Sequence, residues 1–145
     1  MKQISILSVL TISIFLFSFT GNAQGKSIEN SVNKNTIEVI DFHTTNRCVT
    51  CKSIESNTKY TLDTYFADEV KSGKITFSVV NIDEKENEKL AEKFEASGTS
   101  LFLNVIKNGK EKQIDLTEFA FMNGKKQDTF SKELKTKIDN ELKAL

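Results

Sequence analysis

Residues 37–52, IEVIDFHTTNRCVTCK, decide the fold. Ile37, Val39, Ile40 and Phe42 form an apolar, β-branched run that suits a strand buried on both faces inside a sheet. The run stops at Phe42, a polar loop HTTNR follows, and then come Cys48 and Cys51, the only two cysteines in the chain. A strand that ends in a loop and delivers C-x-x-C to the start of a helix is the arrangement of a redox dithiol. A cysteine on the first helical turn faces unpaired backbone N–H groups and the positive end of the helix dipole, and both favour thiolate over thiol. Arg47 and Lys52 add cations on either side. Cys48 is therefore expected to be the attacking sulfur and Cys51, one turn further in, the resolving one. Asp41 sits inside the strand, where a carboxylate is either a solvated edge residue or a buried acid with a task.

Three other uses of the cysteines compete. A structural disulfide closing so short a loop gains only about 2 kcal/mol in the chain-entropy picture. Structural zinc wants four ligands, whereas Cys48, Cys51 and His43 are the only cysteines and histidine present. Cu(I) favours thiolates and low coordination, so a copper module built from Cys48, Cys51 and His43 is the alternative class of function. His43 otherwise reads as a loop histidine that hydrogen-bonds or tunes the thiolate.

The N-terminus reads as a targeting segment. Lys2 precedes an apolar run over Ile4 to Phe19, and Gly21-Asn22-Ala23 supplies small residues for cleavage before Gln24. The run is shorter than the roughly 20 residues that a spanning helix needs. Residues 1–23 are thus expected to be a signal peptide, 24–35 a polar, flexible lead-in and 36–145 one domain. Export to the periplasm puts the cysteines in an oxidising compartment, where a free dithiol survives only if a partner reduces it. The chain carries 20 basic and 20 acidic residues spread along its length, which gives no nucleic-acid footprint.

Beyond Cys48 the pattern turns helical, with Ile54, Leu62, Tyr65, Phe66 and Val70 on one face, Thr58 weakening the stripe, and Gly73 as C-cap. Residues 75–82, ITFSVVNI, form a second strand. Asp83 and Glu86 suggest a capping box for a charged helix that ends near Ala96 to Gly98. Leu101 to Ile106 is a third strand, Asn108-Gly109 a hairpin turn, and Lys112 to Leu116 a fourth strand. Residues 117–124 have no clear period, and Phe119, Phe121 and Met122 are assigned to core packing ahead of a partner groove. Phe130, Leu134, Ile138, Leu142 and Leu145 make a single stripe on a final helix. The order predicts an α/β domain with a central mixed sheet of about four strands and helices on both faces.

This order, with C-x-x-C after the first strand, resembles the thioredoxin superfamily over nearly the whole mature chain. Asp41-Phe42 resembles the end of the strand before a thioredoxin active site, and Cys48-Val49-Thr50-Cys51-Lys52 its dithiol and following lysine. Val80-Asn81-Ile82-Asp83 and Lys107-Asn108-Gly109-Lys110 resemble the next strand end and the late hairpin. The chain departs from that pattern in having Val49-Thr50 between the cysteines and no proline anywhere. Ser100 is the counterpart of the family's cis-proline, in a loop that offers backbone pairing to substrate, so the resemblance assigns Thr99 and Ser100 to substrate binding. A cis bond before a non-proline residue costs about 2.5–4 kcal/mol, so the Thr99–Ser100 bond is expected to be trans. Ser100 also exposes an N–H that proline lacks.

Residues 43–52, 98–101 and 116–122 together resemble a narrower exported group, the nitrophenyl compound nitroreductase (ArsF) family. That resemblance implies a protein-disulfide oxidoreductase or electron relay whose partner is a protein disulfide or a membrane electron donor in a nitroaromatic-reducing system, touching the membrane only through that partner. No nucleotide loop or flavin signal is present, so the expected cofactor is none beyond the Cys48–Cys51 disulfide itself. Cys48 and Cys51 carry the chemistry, Asp41 serves as base for Cys51 if buried near it, and His43, Arg47 and Lys52 tune the sulfurs.

Overall fold

The computed structural model describes residues 35–145. The expected signal peptide and nearly all of the lead-in lie outside the described residues.

The chain enters the sheet at β1 (Thr36–His43). Helix α1 (Val49–Tyr65) and a short α2 (Ala67–Lys71) follow. Then come β2 (Ile75–Asn81), a 3-10 turn at Lys85–Asn87 and α3 (Glu88–Lys93). The hairpin of β3 (Ser100–Lys107) and β4 (Lys110–Asp115) leads to α4 (Thr117–Asn123) and α5 (Gln127–Ala144). The sheet order is β2-β1-β3-β4, with β1 parallel to β2 and antiparallel to β3, and β3 antiparallel to β4. This is the expected mixed sheet of four strands, and it places β1 in the interior.

The side-chain alternation of β1 divides the core into two layers. Ile37 and Val39, with Leu101, Leu103 and Val105 of β3, face Ile54 and Leu62 of α1, Ala120 of α4, and Phe130, Leu134 and Ile138 of α5. Ile40 and Phe42 point to the other side, where they meet Val80, Phe94 and Phe102. There the rings of Phe42, Phe94 and Phe102 lie 5.2–5.9 Å apart, tilted or edge-on. Asp41 follows the parity of Ile37 and Val39, so its carboxyl belongs to the layer beneath α1.

The hairpin forms as its sequence demands. Asn108 and Gly109 both take positive φ, at 51° and 74°, the pair of left-handed residues that a two-residue type I′ turn requires. Gly73, at φ 70°, closes α2. The Thr99–Ser100 bond is trans, as are all peptide bonds among the described residues.

Four local expectations need correction. The helix after Cys48 is not continuous: Phe66, at φ −135°, breaks it into α1 and α2 and buries its ring. Tyr65 and Val70, placed on the buried stripe by spacing, are exposed, while Asn57, Thr58 and Thr61 are buried against α5. The capping box at Asp83 and Glu86 does not form, because Asp83 Oδ2 already accepts the Thr45 N–H at 2.7 Å. Residues 117–123 are helical, and only part of their apolar run is core: Ala120 is buried and Phe119 stacks on Phe130 at 5.1 Å, but Phe121 and Met122 are exposed.

Candidate functional site

Strand β1 ends at His43, and five loop positions turn the chain into α1. Loop contacts fix that turn. Asp83 accepts from the Thr45 amide, Asn81 Nδ2 donates to Thr45 Oγ1 at 3.2 Å, and the His43 carbonyl accepts the Ile82 N–H at 2.8 Å. The Thr45 hydrogen bond holds the Asp83 carboxyl below its ordinary range. The loop therefore rests on the end of β2, and the start of α1 is held relative to the sheet.

Cys48 is the N-cap of α1, extended at φ −72° and ψ 165°, and it is exposed. Its sulfur is disulfide-bonded to Cys51, one turn on, which is only 7 % exposed. Cys48 Sγ also accepts the Cys51 backbone N–H at 3.1 Å. That N–H is one of the donors a helix start leaves without an intrahelical partner. In the reduced protein the same donor faces a Cys48 thiolate, and a charge-assisted bond of this kind favours the ionised sulfur. No acidic residue occupies the first turn of α1 to oppose it. The outer sulfur is thus the reachable one, and Val49, 77 % exposed, stands beside it.

Beneath the disulfide lies an ion cluster. Asp41 is fully buried, with Oδ2 3.3 Å from Arg47 Nη2 and no hydrogen-bond partner on Oδ1. The same Nη2 lies 3.4 Å from the Cys51 carbonyl oxygen, and Arg47 Nη1 bonds Glu55. Burial raises the Asp41 carboxyl from 3.8 to about 7, against the pull of the Arg47 guanidinium; the negative charge of Glu55 pushes it the same way as burial. An acid poised near neutrality, joined through one guanidinium nitrogen to the backbone of the inner cysteine, is suited to exchanging a proton there. Arg47 turns inward to these carboxylates, whereas Lys52 is exposed on the outer face of α1. The half-buried His43 ring places Nδ1 2.8 Å from the Thr44 carbonyl. Among the described residues no three His, Cys, Asp or Glu side chains gather as a metal-holding group.

Ser100 opens β3 and pairs with Phe42 across the β1 ladder. Its Oγ donates to the Gly98 carbonyl at 3.3 Å. Thr99 and Ser100 line a cavity of about 570 Å³ with Phe94, Phe102, Asp115 and Thr117. Helix α4 connects this loop region to the disulfide turn. At its start Thr117 Oγ1 accepts the Leu101 N–H at 3.2 Å. At its end Gly124 meets α1: its carbonyl accepts from Asn57 Nδ2 at 2.9 Å, and a Cβ built there would lie 3.2 Å from Thr50 Cγ2. The residue between the cysteines therefore packs against the α4–α5 junction.

Sequence reasoning did not find Glu55, the Asp83–Thr45 anchor or the Gly124 contact. Glu55 carried a usable signal, since it lies four residues after Cys51 and so on the same helix face. The other two join segments distant in sequence and left none.

The thioredoxin family model matches residues 20–142. No curated protein matches the chain. Among solved structures, the thioredoxin of Fasciola hepatica is 24% identical, with 69% of this chain and 83% of that one covered at a TM-score of 0.40. Thioredoxin-2, described as a component of malaria parasite protein secretion machinery, is 24% identical over 61% of this chain and 77% of that one, at 0.41. A structure described only as a malarial protein is 22% identical over 61% of this chain and 96% of that one, at 0.39. A thioredoxin domain with a C-x-x-C disulfide at the head of its first helix is the arrangement of a thiol–disulfide oxidoreductase, and the Cys48–Cys51 pair is its redox-active disulfide. The chain belongs to the thioredoxin family.

Proposed function

We propose that this protein is an exported, periplasmic electron relay that passes electron pairs between a membrane-associated donor and an acceptor protein of a nitroaromatic-reducing system. The observation that supports the exchange step best is the asymmetry of the disulfide, with exposed Cys48 capping α1 and Cys51 buried behind it. The apolar leader over Ile4 to Phe19 supports export. The resemblance of residues 43–52, 98–101 and 116–122 to the nitrophenyl compound nitroreductase (ArsF) family supports the nitroaromatic assignment.

The cycle starts from the disulfide. A donor thiolate attacks Cys48 Sγ, the Cys48–Cys51 bond breaks, and Cys51 leaves as a thiolate that takes a proton from the Asp41 carboxyl. The donor's second thiolate attacks its own mixed-disulfide sulfur and departs as a disulfide, leaving two electrons on Cys48 and Cys51. In the second half the Cys48 thiolate attacks an acceptor disulfide. The Asp41 carboxylate removes the Cys51 proton, Cys51 attacks Cys48 Sγ, and the acceptor leaves reduced. Thr99 and Ser100 offer backbone groups to the bound segment, His43 and Lys52 adjust the potential around the sulfurs, and the nitroaromatic site belongs to the acceptor.

Replacing Cys51 with serine tests the assignment in the native host. The expected product is an exported protein starting at Gln24 and disulfide-linked through Cys48 to a partner that mass spectrometry identifies. Purified reduced protein that holds one copper per chain and forms no adduct would move the assignment to the Cu(I) module of Cys48, Cys51 and His43. An intact Met1 in the membrane fraction would overturn export alone.

A further inference from the structure

Asp41 does not meet the disulfide turn alone. Three charged side chains run from the buried core toward solvent: Asp41, fully buried, then Arg47, 15 % exposed, then Glu55, 34 % exposed. A single guanidinium serves both carboxylates, and its Nη2 also reaches the carbonyl of Cys51. Two polar atoms of this cluster, Asp41 Oδ1 and Arg47 Nε, are buried without a hydrogen-bond partner. Such a buried network is sensitive to the loss of any member, because each remaining charge is poorly solvated.

We propose that Arg47 and Glu55 are positioning residues for the resolving step, forming an ion chain that holds the Asp41 carboxyl at the Cys51 end of the disulfide and sets the pH at which Cys51 resolves a mixed disulfide. The proposal rests on the exchange reading above and adds two residues to it.

The neighbours of Asp41 are few. Across the sheet it pairs with Val79 on β2 and Leu101 on β3. From α1 it faces Cys51 and Glu55, and from the preceding loop Arg47. Helices α4 and α5 pack on this layer through Ala120, Phe130 and Leu134. Arg47 and Glu55 are the charged groups acting on the carboxyl, and they act in opposite directions. Arg47 favours the carboxylate that accepts the Cys51 proton. Glu55 opposes it twice, by its own charge and by competing for the guanidinium. Removing either charge therefore moves the resolving step along the pH axis in opposite senses, which loss of packing does not do.

The measurement is stopped-flow reaction of the reduced full chain with 5,5′-dithiobis(2-nitrobenzoate) from pH 5 to 9. The first thionitrobenzoate released reports attack by Cys48, and the second reports Cys51 resolving the mixed disulfide. For Arg47→Met, the midpoint of the second phase is expected to rise by at least about one pH unit, slowing resolution at pH 7 about tenfold. For Glu55→Gln the midpoint is expected to fall below that of the unaltered protein. Arg47→Lys should restore most of the Met shift by returning the charge. A folding defect slows the second phase at every pH and leaves no acid-shifted variant. If the second release persists but the Met and Gln midpoints move the same way, or neither moves, the ion chain is overturned and the exchange reading stands. If the unaltered protein gives no second release, the exchange reading itself fails, and the ion chain with it.

Discussion

Asp41→Asn isolates the cost of keeping a titratable group under the disulfide. The folded carboxyl holds its proton up to about pH 7, while the unfolded one releases it near 3.8. Between those values the folded state binds more protons than the unfolded state, so this group makes stability fall as pH rises. Its contribution is fully present below pH 3.8 and lost by the time pH passes 7. A difference of about three pH units corresponds to about 4 kcal/mol, of which roughly 2.5 kcal/mol falls between pH 5 and pH 8. Asparagine has nearly the same shape and does not titrate, and its carbonyl can still accept from Arg47. Urea unfolding of the oxidised protein and of Asp41→Asn, measured side by side at pH 5, 6, 7 and 8, cancels the other titrating groups. The stability gap in favour of asparagine should widen by roughly 2.5 kcal/mol across that range. A gap that stays constant with pH would refute the reasoning, because it would mean the carboxyl ionises equally easily in both states.

Other expectations follow from packing and from loop contacts. Gly124→Ala would bring a Cβ within 2.8 Å of the Ala120 carbonyl and 3.1 Å of Ile54 Cγ1. Relief requires α4 to shift from α1, so urea unfolding should show a loss of about 1–3 kcal/mol; a fully stable variant would show that the junction relaxes freely. Phe94→Ala removes the ring that touches both Phe42 and Phe102 and should cost about 3–5 kcal/mol by the same assay. Asp83→Ala should free the Thr45 amide, read as faster hydrogen exchange there with the α1 amides unchanged.

Much of the site was legible because local signals agreed. The β-branched run, the polar loop and the paired cysteines each pointed to a strand delivering a dithiol to a helix start, and Asn108-Gly109 marked its turn without ambiguity. Where the reading missed, no local residue announced the outcome. The α1–α2 break falls at Phe66, with neither glycine nor proline to mark it, because burying that ring matters more than continuing the helix. Asp83 looked like a cap but is claimed by Thr45, a partner remote in sequence. Helix α4 buries little beyond Ala120, too little to impose a period on seven residues. Asp41 was readable as an acid in an apolar strand, yet solvated edge and buried acid differ only in which strand flanks β1 on each side. The antiparallel pairing with β3 on one side and the parallel pairing with β2 on the other decide it.

The most direct test of a working disulfide is the reduction potential of the Cys48–Cys51 pair. The oxidised chain is equilibrated with glutathione or dithiothreitol buffers of known potential, quenched with acid, alkylated and weighed. Cys48 gains the Cys51 N–H but no adjacent charge from Val49 or Thr50. The pair should therefore titrate as one reversible two-electron couple between about −270 and −120 mV, the values of thioredoxin and of the strongest oxidants. Cys48 should be the thiol that alkylates first below pH 8. A midpoint below about −300 mV, or a bond that exchanges with neither buffer, would make the bridge a structural staple and contradict the redox assignment.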